Sequence, residues 1–201
     1  MARRNRVAPT GEVVAIDQRG TLLGNRGRLY RDGEVVRSYD GRRWIACALE
    51  FRGWRAPAWG TDGRWTALFF LDEAVALAAG HRPCALCRRQ DYERFRAAWA
   101  GAVGGDRPGA DAMDRRLHAD RLDGRAQRRH RRPWRALPDD AYVLLDDGRP
   151  ARVAVDHVVP WTPAGAGPPV DRPGRGEATV LTPSVTIDVL VAGYAARSTP
   201  D

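Results

Sequence analysis

The sequence predicts an α+β protein: an antiparallel N-terminal sheet, a tight cysteine-bearing turn between two helices, and a smaller C-terminal strand and helix element. Three observations carry that expectation. From Gly11 to Phe70, short apolar stretches are punctuated by Asp32-Gly33, Asp40-Gly41 and Asp62-Gly63, pairs that favour the positive φ angles of tight hairpins. After Asp72 the apolar residues recur at helical spacing instead. Between the two helices lies Cys84-Ala85-Leu86-Cys87. A length of 201 residues suits one domain or one with a small appendage, and a hydrophobic fraction of 43% supplies a core despite 21 Gly and 14 Pro.

In the N-terminal part, Glu12–Ile16, Glu34–Tyr39, Arg43–Phe51 and Arg64–Phe70 read as strands of an antiparallel meander. Alternation in the third puts Ile45, Cys47, Leu49 and Phe51 on one face and Trp44, Ala46, Ala48 and Glu50 on the other, so Cys47 is expected on the apolar side. Asp72 is placed to cap a helix over Ala74–Ala79; Gly80 supplies a left-handed C-terminal cap, and Pro83 stops the helix from resuming. A second helix starts near Arg88 with Tyr92, Phe95, Trp99 and Ala102 on one face, a stripe expected to pack on the sheet. Gly101–Asp111 reads as a loop, and Asp111–Leu122 as a weaker helix whose face is set by Met113 and Leu117.

Further on, Ala141–Leu145 and Arg152–Val159 form a hairpin across Asp147-Gly148, and Thr162–Gly176, eight of fifteen residues Gly or Pro, is a loop. A strand at Ala178–Leu181 leads into a closing helix with Thr182 as N-cap, Pro183 in the first helical position and Gly193 at its end. Two regions result. Residues 1–103 hold the sheet and the cysteine turn; residues 104–201 hold a basic segment and the C-terminal β/α element, and the two are expected to pack as one domain.

All 33 basic residues are arginine, and against 25 acidic residues they leave a formal net charge of +8. The planar, always-charged guanidinium suits phosphate, and an excess of this size makes polyanions the default partner class. A solvated charged surface is the competing reading. Met1-Ala2-Arg3-Arg4-Asn5-Arg6 looks like the basic start of a signal peptide, but Pro9, Glu12 and Asp17 interrupt the apolar region that should follow. The arm itself reads as an unstructured tail. No uncharged apolar run approaches the roughly 20 residues of a membrane helix. Three cysteines, Cys47, Cys84 and Cys87, make an odd number that argues against a disulfide framework. The expectation is a cytoplasmic protein, without a membrane partner, that uses its cysteines for metal or thiol chemistry.

The strongest local signal is Gly80-His81-Arg82-Pro83-Cys84-Ala85-Leu86-Cys87-Arg88-Arg89. A Cys-x2-Cys knuckle lets two thiolates meet one tetrahedral zinc, and the flanking arginines are expected to favour thiolate. Cys47 is a third sulfur. His81, three residues before Cys84, is the nearest nitrogen for a fourth position, with His118 and His130 as alternates. The plainer reading makes Cys84 and Cys87 small buried residues at a helix start and Cys47 a core strand residue.

The stretch from Phe69 through Asp72, the Ala-rich Glu73–Ala79 and Gly80-His81-Arg82-Pro83-Cys84 to Cys87 resembles the metal-binding domain of Ada-type DNA alkylation-repair proteins. The likeness is close over residues 69–89 and looser from Trp44 to Arg96. It implies a small α+β zinc domain that binds DNA, in which an upstream cysteine ligand accepts a methyl group from a phosphotriester; here that cysteine is Cys47. The family has a Cys-x3-Cys pair upstream, where this chain has Cys47 and Phe51, and an aromatic residue where this chain has His81.

Two further segments offer chemistry. Val155-Asp156-His157-Val158-Val159-Pro160 resembles the Asp-His strand of HNH-type nucleases, which implies His157 as general base and Asp156 as a holder of the divalent metal. The plainer reading has both residues ending a hairpin strand. Between Arg125 and Arg135, six arginines (Arg125, Arg128, Arg129, Arg131, Arg132 and Arg135) surround His130 and Trp134; arginine can pair with phosphates while Trp134 stacks on a base. A solvated basic loop is the alternative there. Together these readings predict a zinc-binding protein acting on nucleic acid, DNA before RNA, in the DNA damage response. The alternatives are an HNH-like metal-dependent nuclease and a non-catalytic structural or interaction protein, and the sequence leaves open whether the chain is an enzyme.

Overall fold

The computed structural model describes residues 4–31, 34–57, 60–61 and 65–197. It is an α+β structure with mostly antiparallel sheets. The first sheet has six strands: β1 (Arg4–Val7), β2 (Val13–Ala15), β3 (Leu22–Asn25), β4 (Ile45–Ala48), β5 (Leu68–Phe70) and β6 (Arg82–Pro83), in the order β6-β4-β3-β5-β1-β2. Pairs β1/β5 and β6/β4 are parallel, which corrects the expected meander. The basic arm is no tail where it is described: Asn5 and Val7 point inward between Arg4 and Arg6, a period-2 pattern that makes it a strand.

Leu22–Asn25, which the turn signals did not single out, lies in the sheet's interior between β4 and β5. Arg43–Phe51 is interrupted after Ala48, and Glu50–Phe51 instead pairs with Trp54–Arg55. The Asp32-Gly33 and Asp62-Gly63 turns, Arg3 and Arg64 lie outside the described residues.

Trp44, Ala46 and Ala48 are buried while Ile45, Cys47 and Leu49 are half-buried. The expected apolar side of this strand is thus reversed. Helix α1 (Glu73–Ala78) explains why: Ala46 belongs to the same core as Ala74, Val75, Ala76 and Ala78, and small side chains on both partners let helix and sheet approach closely. α1 is buried all round, as its apolar run Ala74–Ala78 requires, with Glu73 neutralised by Arg88. The Asp72 side chain accepts from the Val75 N–H at 2.8 Å, and Gly80 takes φ +80°, both as the sequence predicts.

Helix α2 (Arg89–Val103) buries Tyr92, Phe95, Ala98 and Trp99, and α3 (Ala110–Arg121) buries Met113 and Leu117. The aromatic stripe of α2 packs in a helical core with Leu77, Met113, Leu117, Val185 and Val189, rather than on the sheet. The apolar face of the closing helix α4 (Ser184–Val191) supplies the partner surface. The α4 N-terminus is capped from a distance: Asp120 Oδ2 accepts from Val185 N–H at 2.7 Å, while the Thr182 hydroxyl, expected as the cap, accepts from Tyr142 N–H at 2.9 Å.

The second sheet is antiparallel throughout. Its strands are β7 (His130–Pro133), β8 (Tyr142–Leu144), β9 (Pro150–Val153), β10 (His157–Thr162), β11 (Gly165–Ala166), β12 (Val170–Asp171) and β13 (Glu177–Val180). Their order is β7-β13-β8-β9-β10-β11, with β12 also on β10. Arg152–Val159 is therefore two strands that turn at 154–156, and the Gly/Pro-rich loop contains two short strands. Tyr142 and Leu181 reach into the core of the first sheet, which ties the two halves of the chain together.

Gly24 marks the tightest point of the first sheet. A Cβ added there would stand 2.5 Å from Phe70 Cε2 and 3.1 Å from Leu68 Cβ. We expect Gly24→Ala to destabilise by about 1–3 kcal/mol, the usual range for overpacking, measured as a lower urea midpoint with unchanged slope.

Candidate metal centre

Cys47 lies mid-strand in β4, and the parallel ladder with β6 brings Cys84 alongside it. Arg82 pairs with Ile45 and Pro83 with Ala46; in the next step Cys84 N–H donates to Ala46 O at 3.0 Å. The turn between Cys84 and Arg88, closed by Arg88 N–H donating to Cys84 O at 3.2 Å, then carries Cys87 back over the same strand. The three Sγ atoms lie within 4.8 Å of one another. Thiolates around a tetrahedral zinc at about 2.3 Å stand roughly 3.8 Å apart, so small side-chain adjustments suffice. Among the described residues this is the only group of three or more His, Cys, Asp or Glu side chains placed to hold a metal.

Backbone donors reinforce the sulfurs. Ala48 N–H donates to Cys87 Sγ at 3.4 Å and Leu86 N–H to Cys84 Sγ at 3.5 Å, interactions that favour thiolate. Hydrogen bonds from Cys47 and Cys87 hold the Cys84 thiol well below its ordinary range, and the same sharing, with burial, pushes Cys47 up. Of the flanking arginines expected to favour thiolate, two are paired with carboxylates instead. Arg82 is committed to Asp114, and Arg88 to Glu73 at 2.8 Å and Asp91 at 2.6 Å, all buried. These pairs fix the ends of the cysteine turn instead.

The fourth position is corrected. His81 is buried beside this turn, yet its ring packs against Phe70 at 4.6 Å and Trp44 at 5.2 Å between centroids, and it is not in the cysteine group. Burial, with Arg26 and Arg121 nearby, keeps it neutral. Alternation along β6 is the physical reason: His81 and Cys84 are an odd number of residues apart and leave the strand on different sides. His118 contacts Arg121 and Tyr39, and His130 lies in β7; neither joins the sulfurs.

Asp156 and His157 sit together at the turn into β10, with His157 Nδ1 2.7 Å from Asp156 Oδ1. Among the described residues no third metal-ligating side chain joins them. The arginine segment is a two-residue hairpin (Leu122–Asp123 with Ala126–Gln127) running into β7. Trp134 is buried in the core of the second sheet, which removes the base-stacking role expected of it. Arg131 approaches Glu177 at 3.5 Å, and Arg132 pairs with Asp188 at 2.9 Å. Arg125, Arg128, Arg129 and Arg135 are exposed.

Sequence reading missed a second cluster, Arg26, Trp44 and Arg121. A signal for it existed. Met113, Leu117 and Arg121 recur every four residues along α3, placing a cation on the apolar face, and Leu22, Gly24 and Arg26 alternate along one face of β3. Among the described residues no helix is long and apolar enough to cross a membrane. Compared with protein-family models, with curated proteins and with solved structures, the chain matches none.

Proposed function

We propose that the chain is a zinc-binding protein that acts on nucleic acid. The convergence of Cys47, Cys84 and Cys87 within 4.8 Å carries this reading: three sulfur ligands with backbone donors at two of them suit zinc better than hard, oxygen-seeking cations. The all-arginine excess and the exposed Arg125, Arg128, Arg129 and Arg135 favour a phosphate-bearing partner. The knuckle and its Ada-like surroundings favour DNA and a place in the DNA damage response, with Cys47 as the candidate methyl acceptor. A zinc held by three protein sulfurs keeps one position for an outside ligand. The isolated Asp156/His157 pair gives the nuclease alternative less support.

Untagged protein purified without added metal is expected to contain one zinc per chain by elemental analysis. It should bind duplex DNA with an affinity that falls steeply between 50 and 200 mM salt, by about a hundredfold for four phosphate contacts. A metal content far below one equivalent defeats the zinc reading, and salt-independent or absent binding defeats the nucleic-acid reading. Incubation with DNA carrying methyl phosphotriesters should add one methyl mass, and loss of that mass in Cys47→Ala would assign the acceptor.

A further inference from the structure

Four arginines are buried among the described residues: Arg26, Arg82, Arg88 and Arg121. Two are neutralised by carboxylates, Arg82 by Asp114 and Arg88 by Glu73 and Asp91. The other two are not. Arg26 donates to Gly11 O at 2.9 Å, and among the described residues its Nε has no partner and no carboxylate lies within 4.0 Å. Arg121 donates to Gly80 O at 2.7 Å and Arg42 O at 2.6 Å and also lacks a partner at Nε. Asp114, the acid that most affects Arg121, is already occupied bidentately by Arg82.

Both unpaired cations line one cleft of about 670 Å³, a volume in the range of small-molecule sites. Trp44 is near both, with Arg121 Cζ 3.9 Å and Arg26 Cζ 5.0 Å from its ring, so the aromatic ring attracts each guanidinium without neutralising it. Exposed Arg4, Arg125 and Arg129 lie along the same cleft, and Glu12, the one carboxylate among its described lining residues, is exposed. The lining also includes Thr10 and Gln127, each with a buried side-chain oxygen lacking a hydrogen-bond partner. Burying a cation without a counter-charge is costly; that cost lowers Arg26 to about 10 and Arg121 to about 9. A fold that pairs its other buried arginines leaves these two lining a cleft open to an outside anion.

We propose that this cleft binds a terminal phosphate group, a phosphomonoester carried by a nucleotide or by the end of a nucleic-acid strand. The two floor guanidinium groups are each only 2% exposed, so the ligand must present a small, multiply charged head. A terminal phosphoryl group does so with three acceptor oxygens and a charge near −2; an internal phosphodiester, with chain on both sides, is held at the rim. This site stands on its own geometry and owes nothing to the metal. If the nucleic-acid reading holds, it gives that reading an end-specific component.

The test compares inorganic phosphate, deoxyadenosine monophosphate and one short oligonucleotide made with a 5′-phosphate or a 5′-hydroxyl. Phosphate should raise Tm above chloride at matched ionic strength, as any ligand of the native state does. The phosphorylated oligonucleotide should bind about tenfold more tightly than its hydroxyl twin, the effect of one to two charge-assisted hydrogen bonds. Arg26→Leu should abolish both differences while leaving Tm in chloride unchanged or higher, because it removes an unpaired buried charge. The double rim variant Arg125→Ala/Arg129→Ala, at exposed positions, should weaken both, and Arg135→Ala, outside the cleft, should not.

Equal Tm in phosphate and chloride, together with equal affinity for the two oligonucleotides, overturns the phosphate site and leaves salt-dependent nucleic-acid binding standing. Binding of phosphate and the mononucleotide with no binding of either oligonucleotide supports the site as a nucleotide pocket and defeats the nucleic-acid reading. A lower Tm for Arg26→Leu with the phosphate effect intact also counts against the proposal, since it makes that arginine structural.

Discussion

If the cysteines hold the proposed zinc, its chelation, or replacement of Cys84 by serine, is expected to lower stability by about 3–5 kcal/mol. Structural zinc contributes roughly 10–16 kcal/mol to peptides that fold around it. Only part of that is at stake here, because the chain also builds three hydrophobic cores from residues other than the cysteines. For a chain of this length the loss corresponds to a fall in Tm of roughly 6–20 °C. Cys84 should show the largest effect of the three cysteines: it is the buried one and sits where the β6 ladder enters the turn. Differential scanning calorimetry with and without chelator checks the expectation, and readdition of zinc should restore the wild-type transition but not that of Cys84→Ser. A Tm indifferent to chelator would mean the cysteines are core residues.

An effect of comparable size is expected from Asp114→Ala. Arg82 Nε and Nη2 each donate to one Asp114 oxygen at 2.8 Å, and the side chains are 2% and 5% exposed. Removing the carboxylate strands a guanidinium inside the protein, a change that typically costs about 3–5 kcal/mol. Asp114→Asn should recover part of the loss, since it keeps one acceptor. The lesion spreads: Arg82 lies two residues before Cys84 in the strand that positions the turn, so the variant should also bind zinc more weakly. Glu50→Ala, which breaks an exposed pair with Arg55, should leave the denaturation midpoint where it was. If Asp114→Ala matches that control, Arg82 is being neutralised by some other group.

The local features of this protein were legible because they rest on neighbours in sequence. Asp72 caps α1, Gly80 ends it and Gly193 follows α4, each through contacts within a few residues, and the helical spacing of Tyr92, Phe95 and Trp99 marks the buried face of α2 although its partners are distant. The Cys84/Cys87 turn was visible for the same reason. Errors arose where a residue type was read without its surroundings. Trp134 looked like a stacking platform among arginines, yet a tryptophan beside a strand of the second sheet buries its large apolar surface in that sheet's core. The arginines around it looked uncompensated because Glu177 and Asp188 lie 46 and 56 residues away in sequence from the arginines they meet.

What the sequence by itself determined is the class of structure, the helices with both ends of α1, and the identity of two metal-ligand candidates held by a short turn. The tertiary structure decided which side of β4 is core, that Cys47 joins the pair through a parallel ladder, that His81 packs between rings instead of joining the sulfurs, and that Arg26 and Arg121 face one cleft. The physical reason is that strand pairing and charge pairing are non-local. A parallel β6/β4 contact or a guanidinium left without its carboxylate comes from how distant segments are stacked, and the period of a single segment carries no record of its neighbour.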